Sequence, residues 1–165
     1  MGQTADADLY QQLLNLARRK LGPHPAHTLG ATGLAHEAWL RLEKAGSWRD
    51  QPQPFQHVAR TLRAVLVDHS RRRAARKRGG DSQRSPLWEG SLFRESAAAD
   101  LLALHEALER LAHRTPFQAR LVELRFFAGL DIAQTASALG CSTATVKREW
   151  RTARAWLFQQ MSGEA

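Results

Sequence analysis

The sequence predicts an all-α protein built from two small helical modules joined by a linker. Three observations carry that expectation. Apolar residues recur at spacings of three and four along most of the 165 residues, and no stretch alternates with the two-residue rhythm of a half-buried strand. Between 79 and 99 the rhythm lapses and Gly, Ser and Pro accumulate, which reads as a connection between a module at 1–78 and another at 100–165. Hydrophobic residues make up 43% of the chain, enough for a packed core and too many for a disordered polymer.

The elements follow in order. Leu9, Leu13, Leu16 and Ala17 form a stripe that predicts a first helix over about 6–21, broken by Gly22, Pro23 and Pro25. A second helix is expected from Thr32, as N-cap, to about Lys44, with Leu34, Ala38, Trp39 and Leu42 on its apolar face. A loop at 45–54 carries Gly46, Trp48, Pro52 and Pro54. The cleanest amphipathic stretch comes next, with Phe55, Val58, Ala59, Leu62, Val65, Leu66 and His69 on one face. It runs into an Arg-rich end, where cations meet the negative pole of the helix dipole, and stops at Gly79 and Gly80. Trp88, Leu92 and Phe93 in the linker suggest that it packs against something.

Beyond the linker, Leu101, Leu104, Leu108 and Leu111 mark a fourth helix. Thr115 and Pro116 read as an N-cap followed by proline at the first helical position, opening a fifth helix to about Phe127, with Gly129 closing it. Asp131 caps a short sixth helix ending at Leu139 and Gly140. Ser142 caps a seventh, on which Val146, Trp150, Ala153 and Leu157 face inward.

Charge narrows the class of partner. The net charge is +8, which points to a polyanion, either nucleic acid or a membrane surface. Residues 60–84 hold nine basic residues against Asp68 and Asp81, and so carry most of the excess. A second cluster, Lys147, Arg148, Arg151 and Arg154, is offset locally by Asp131, Glu149 and Glu164. Such runs also occur on solvated helix ends. Two of them, on either side of a linker, favour nucleic acid. No apolar run approaches the ~18 residues of a membrane span, and the first residues do not read as a signal peptide. The single cysteine, Cys141, excludes an intramolecular disulfide and fits a reducing compartment. The expected location is cytoplasmic, in association with the nucleoid.

Few residues invite catalysis or metal binding. His24, His27 and His36 are far in sequence from Cys141, and no metal or cofactor is expected. Glu106, Glu109 and His113 fit a solvated helix face without a Gly-rich pocket beside it. The chain is not expected to be an enzyme.

The segment Asp131–Leu157 has the layout of a helix-turn-helix: a short helix, a turn at Gly140-Cys141-Ser142, and a longer helix. The second helix sets apolar anchors against long outward donors. A recognition helix needs that division, because it must sit on a core and still reach phosphates and base edges. An ordinary packed helical hairpin shares the pattern but does not need the basic outer face.

At this point the residues resemble a known family. The stretch LHEALERLAHRTPFQARLVELRFFAGLDIAQTASALGCSTATVKREWRTARAWL is similar to region 4 of bacterial sigma-70-type factors of the extracytoplasmic function (ECF) class. HTLGATGLAHEAWLRL resembles region 2.2, and SWRDQPQPFQHVARTLRAVLVDHSRRRAARKRGG resembles regions 2.3–2.4. The phrases LVDH before the Arg run and ATGLAHEAWLRL are similar to an ECF-like subgroup. The resemblance covers roughly residues 8–160 and implies promoter recognition by a bound RNA polymerase core.

It also implies residue roles. His36, Glu37, Leu40 and Arg41 would dock on the clamp helices of the largest polymerase subunit, although a merely solvated face has the same composition. Trp48, Arg60 and Arg63, with the run Arg71, Arg72, Arg73, Arg76, Lys77 and Arg78, would engage the −10 element and its phosphates. Trp48 plugging the core is an equal reading. Ser142, Thr143, Thr145, Lys147, Arg148, Arg151 and Thr152 would read the −35 element. The flap of the second-largest subunit is a further implied contact, and the class leaves room for an anti-sigma factor. The alternatives are a stand-alone helix-turn-helix regulator, a degenerate sigma factor that does not initiate, and, more remotely, a basic enzyme or RNA-binding adaptor.

Overall fold

The computed structural model describes residues 2–21, 25–78 and 95–162. Among them are seven α-helices, a 3-10 turn and a π turn, and no strand, so the all-α expectation holds. Helix α1 spans Gly2–Leu21 and α2 spans Pro25–Ala45. They share one apolar cluster through Leu13, Leu16 and Ala17 of α1 and Ala31, Leu34, Ala35, Ala38 and Leu42 of α2. Tyr10 meets Trp39 edge to face at 6.1 Å across the pair. The small alanines let the backbones approach, and the leucines fill what remains.

Helix α2 begins seven residues before the expected N-cap at Thr32, which is exposed inside the helix. Pro25 opens the helix instead of separating two elements. At the first helical position proline lacks only an N–H that would be orphaned anyway, and its fixed φ suits the helix. Ala31, a turn before the first expected apolar position, is also buried.

A 3-10 turn at Ser47–Asp50 follows Gly46, whose φ of 70° is a left-handed conformation suited to glycine. Helix α3, Pro54–Arg78, then crosses the molecule. Val58, Ala59, Leu62, Val65 and Leu66 are buried as the spacing predicted. Phe55, expected on the same face, is exposed at the first turn. Helix α3 packs against α2 and also against the C-terminal half.

Helix α4 spans Glu95–Arg114 and begins inside the segment read as linker. Ala97, Ala98 and Ala99 have the highest helix propensity of any residue but show no apolar stripe, so periodicity overlooked them. Residues 79–94, with Trp88, Leu92 and Phe93, lie outside the described residues. Helix α5, Pro116–Val122, runs directly into a π turn at Glu123–Phe127. Thr115 stands at the N-cap, but its side chain makes no capping hydrogen bond. The π turn buries Glu123, Leu124 and Phe127. Helices α6, Ile132–Leu139, and α7, Thr143–Met161, complete the chain.

The main cluster runs without interruption from Leu13 through Leu62 and Leu66 to Leu108, Phe127 and Leu157, so the two halves share a core. A smaller cluster of Leu121, Ala136 and Val146 ties α5, α6 and α7 together. Among the described residues no helix is long and apolar enough to cross a membrane.

Candidate nucleic-acid interface

The helix-turn-helix is fixed by its caps. The Asp131 side chain accepts from the Gln134 N–H at 2.8 Å, and Gln134 Oε1 accepts from the Asp131 N–H at 2.9 Å. This reciprocal capping box satisfies two donors that the start of α6 would otherwise leave orphaned. At the turn, Gly140 takes φ 65°, and the Cys141 N–H donates back to the Ala136 carbonyl at 3.0 Å. Ser142 Oγ then accepts from the Thr145 N–H at 3.1 Å and opens α7. A side-chain N-cap contributes about 1 kcal/mol, so the turn is specified by its own residues.

On α7 the split between faces is clear. Val146, Ala153 and Leu157 are buried, whereas Ser142, Thr143, Lys147, Arg148, Arg151 and Thr152 are exposed. Thr145 is partly covered and its hydroxyl pairs with Ser142 at 2.9 Å. Thr152 donates to the Arg148 carbonyl at 3.2 Å, which satisfies its hydroxyl locally. Trp150, expected in the core, is half-buried, with the guanidinium of Arg125 at 4.9 Å from its ring centre and that of Arg154 at 6.0 Å. Arg151 and Arg154 edge an apolar cavity of about 890 Å³ that Leu101, Leu104, Phe126 and Phe158 also line.

Sequence reasoning missed two partners here. Glu149 accepts from Gln118 Nε2 of α5 at 2.8 Å and from Arg148 Nε at 3.0 Å. These two hydrogen bonds, the Gln118 one foremost, hold its carboxyl below the usual carboxylate range. Arg148 is therefore restrained by a carboxylate that is itself anchored to the next helix.

The basic residues of α3 divide three ways. Arg71 and Arg72 are exposed, and Arg72 Nη2 lies 3.4 Å from Glu37 Oε1. Arg73, Arg76, Lys77 and Arg78 lie within the helix, but their side chains are outside the described residues. Arg60 is mostly exposed, with Nε 3.6 Å from Glu123 Oε2. Arg63 is only 8% exposed. Its Nη1 donates to Glu123 Oε1 at 2.8 Å, and its Nη2 lies 2.7 Å from Glu109 Oε1 and 3.0 Å from the His105 carbonyl. In this arrangement Arg63 is not an open cation, because acids of the C-terminal half surround it. Gln56, also buried, donates to Glu123 Oε2. Burial, and then the Arg63 charge, push His105 below its ordinary range. The ring is thus neutral near pH 7, and its Nδ1 sits 2.8 Å from Arg63 Nη2 as an acceptor.

The remaining candidates are on α2 and its following turn. His36 and Leu40 are exposed, the latter by 46%. Arg41 pairs with Glu37 at 2.6 Å and with Asp68 of α3 at 2.8 Å, so it also ties α2 to α3. Trp48 is 6% exposed, with the Arg49 guanidinium 4.7 Å from its ring centre. Of the two readings of Trp48, the structure carries the core plug. Among the described residues no group of three or more His, Cys, Asp or Glu side chains could hold a metal ion.

Neither the curated proteins nor the solved structures give a match to this chain. A family model does. The model described as ECF sigma factor matches residues 4–163, which takes in the α2 face, both basic regions and the capped helix-turn-helix. With nearly the whole chain matched, this protein belongs to the ECF sigma factor family, whose members act in transcription initiation with RNA polymerase core and promoter DNA.

Proposed function

We propose that this chain is a non-enzymatic initiation factor that directs RNA polymerase core to particular promoters. The observation that supports it best is α7: a helix capped at Ser142 and anchored by Val146, Ala153 and Leu157, with Lys147, Arg148 and Arg151 on the open side. That face would enter the major groove at the −35 element, where Arg can bind guanine O6 and N7 bidentately. Exposed Arg71 and Arg72, with the rest of their run, would hold −10 phosphates without reading sequence. His36 and Leu40 would meet the polymerase clamp helices, and the chain would work in the cytoplasm on the nucleoid. Catalysis belongs to the polymerase.

The test is run-off transcription on genomic fragments with core enzyme, with and without this protein. Discrete transcripts that need both components are the expected result. Tight, specific duplex binding by the isolated chain with no transcripts would instead indicate a stand-alone regulator.

A further inference from the structure

Arg148 does not stand alone on the open side of α7. Its Nε donates to Glu149 Oε1 at 3.0 Å, and Gln118 Nε2 of α5 donates to Glu149 Oε2 at 2.8 Å. Consecutive residues on a helix do not face one another, so Arg148 meets Glu149 by leaning its long side chain across the helix surface. That lean needs a fixed target, and Gln118 supplies it. Gln118 is buried, whereas the Glu149 side chain is 22% exposed and the Arg148 side chain 64%. The two hydrogen bonds thus climb from the interior to the open face.

The floor beneath them is apolar and closely packed. Leu121, three residues after Gln118, shares a buried cluster with Val146, three residues before Glu149. That spacing puts each pair on one helix face, so the hydrogen bond and the apolar contact join the same two faces of α5 and α7. With Nε on Glu149, the two terminal nitrogens of Arg148 remain for guanine O6 and N7. A side chain already held also loses less rotamer freedom when it binds. Arg151, on the same open side, has no carboxylate partner among the described residues.

We propose that Gln118 and Glu149 are positioning residues that set −35 specificity: the relay from Gln118 through Glu149 aims Arg148 at one base pair. Neither residue needs to touch DNA. This rests on the reading of α7 as the helix that enters the −35 major groove. The Glu149 carboxylate repels phosphates on every sequence alike, so the aim is gained at some loss of affinity.

The experiment uses the full chain, polymerase core, and run-off transcription from a promoter that the protein uses, with single substitutions through its −35 element. Arg148→Ala and Arg151→Ala first mark the base pairs that each arginine reads. Gln118→Leu removes the donor at nearly constant volume. It should lose about threefold to tenfold of the preference at the Arg148 base pair. Preference at the Arg151 base pair and at the −10 element should be unchanged. Glu149→Gln swaps a charge-assisted bond for a weaker neutral one. It should relax the same base pair and, with one negative charge fewer, give more transcript than the wild type from mismatched −35 elements. In an Arg148→Ala background, Gln118→Leu should change base preference no further, because the relay has lost its end.

Equal loss at the Arg148 and Arg151 base pairs would show that α7 has shifted as a body, and would overturn the proposal. So would a further change in the Arg148→Ala background, or a folded Gln118→Leu chain with the wild-type profile. If Arg148→Ala itself leaves the −35 profile intact, the reading of α7 falls and the proposal with it. If Arg148→Ala relaxes the profile and the Gln118 and Glu149 variants do not, the relay alone falls. Should Gln118→Leu lose helical content, Glu149→Gln decides, because it keeps the shape of the side chain it replaces. That variant must relax the Arg148 base pair and spare the Arg151 base pair, and no relaxation in a folded chain counts against the proposal.

Discussion

Helices α3 and α7 look alike as sequence and differ as structure. Each is amphipathic, and each carries arginines off its apolar stripe. On α7 those arginines are exposed. On α3 the off-stripe position 63 is buried and ion-paired. The difference lies in the neighbours. Helix α3 is covered by α2 on one side and by α4 and the π turn on another. Its second buried stripe, Gln56, Arg63, Val67 and Ser70, has the 7, 4 and 3 spacing of a helix face. That stripe is mostly polar, so a search for hydrophobic periodicity sees solvent there. A polar residue can be structural when its partner lies on another element, and only the tertiary fold reveals the partner.

The largest test of this contrast is thermal stability. Arg63→Ala leaves Glu123 buried without its cation, and breaking such a pair costs about 3–5 kcal/mol. Arg148→Ala removes an exposed side chain and should stay within about 0.5 kcal/mol of the wild type. Melts of the two variants, at one salt concentration, make the comparison directly. If Arg63→Ala melts like Arg148→Ala, the two helices do not differ in the way described.

The next test concerns reading bases. Arg148→Ala should relax preference at one or two −35 positions by about 1–3 kcal/mol of discrimination. It should leave −10 preference intact. The measurement is a −35 substitution series in run-off assays with polymerase core. Arg151 gives a finer version, because it also edges the apolar cavity between α4 and α7. If neither variant changes the −35 profile while both melt normally, α7 presents its basic face to something other than bases.

Much of this was legible in the sequence, and the limits have physical causes. The caps at Asp131 and Ser142 and the left-handed Gly140 could be read because each acts through residues three to five positions away. The buried positions of α3 facing α2 could be read because they are apolar. The early start of α4 could not, because alanines favour a helix without marking a face. Pro25 was misjudged because proline breaks a helix interior but starts a helix well. On the candidate site, the exposed face of α7 followed from periodicity alone. The engagement of Arg63 by Glu109 and Glu123, and of Glu149 by Gln118, joins residues more than thirty positions apart. Glu109 reads as a solvated helix-face charge, and nothing in the local sequence marks Glu123 or Glu149, until the helices are packed.

The smallest expected effect lies inside α3 itself. Arg60 is one turn from Arg63 and points toward the same Glu123, but its side chain is 61% exposed and its nitrogen is 3.6 Å away. Water and salt screen such a pair, so Arg60→Ala should cost only a few tenths of a kcal/mol in stability. In that respect Arg60 should behave like Arg148, although it belongs to the other helix. Its effect on DNA should differ from that of Arg148. A phosphate contact releases a counterion and carries no sequence information, so complexes with polymerase core should weaken about equally on all promoters. The slope of log affinity against log salt should also fall in magnitude by about 1. Filter binding across a salt series, with melts alongside, measures both. A large stability loss would show that Arg60 shares the structural duty of Arg63. An unchanged salt slope would show that Arg60 does not meet the DNA backbone in the open complex.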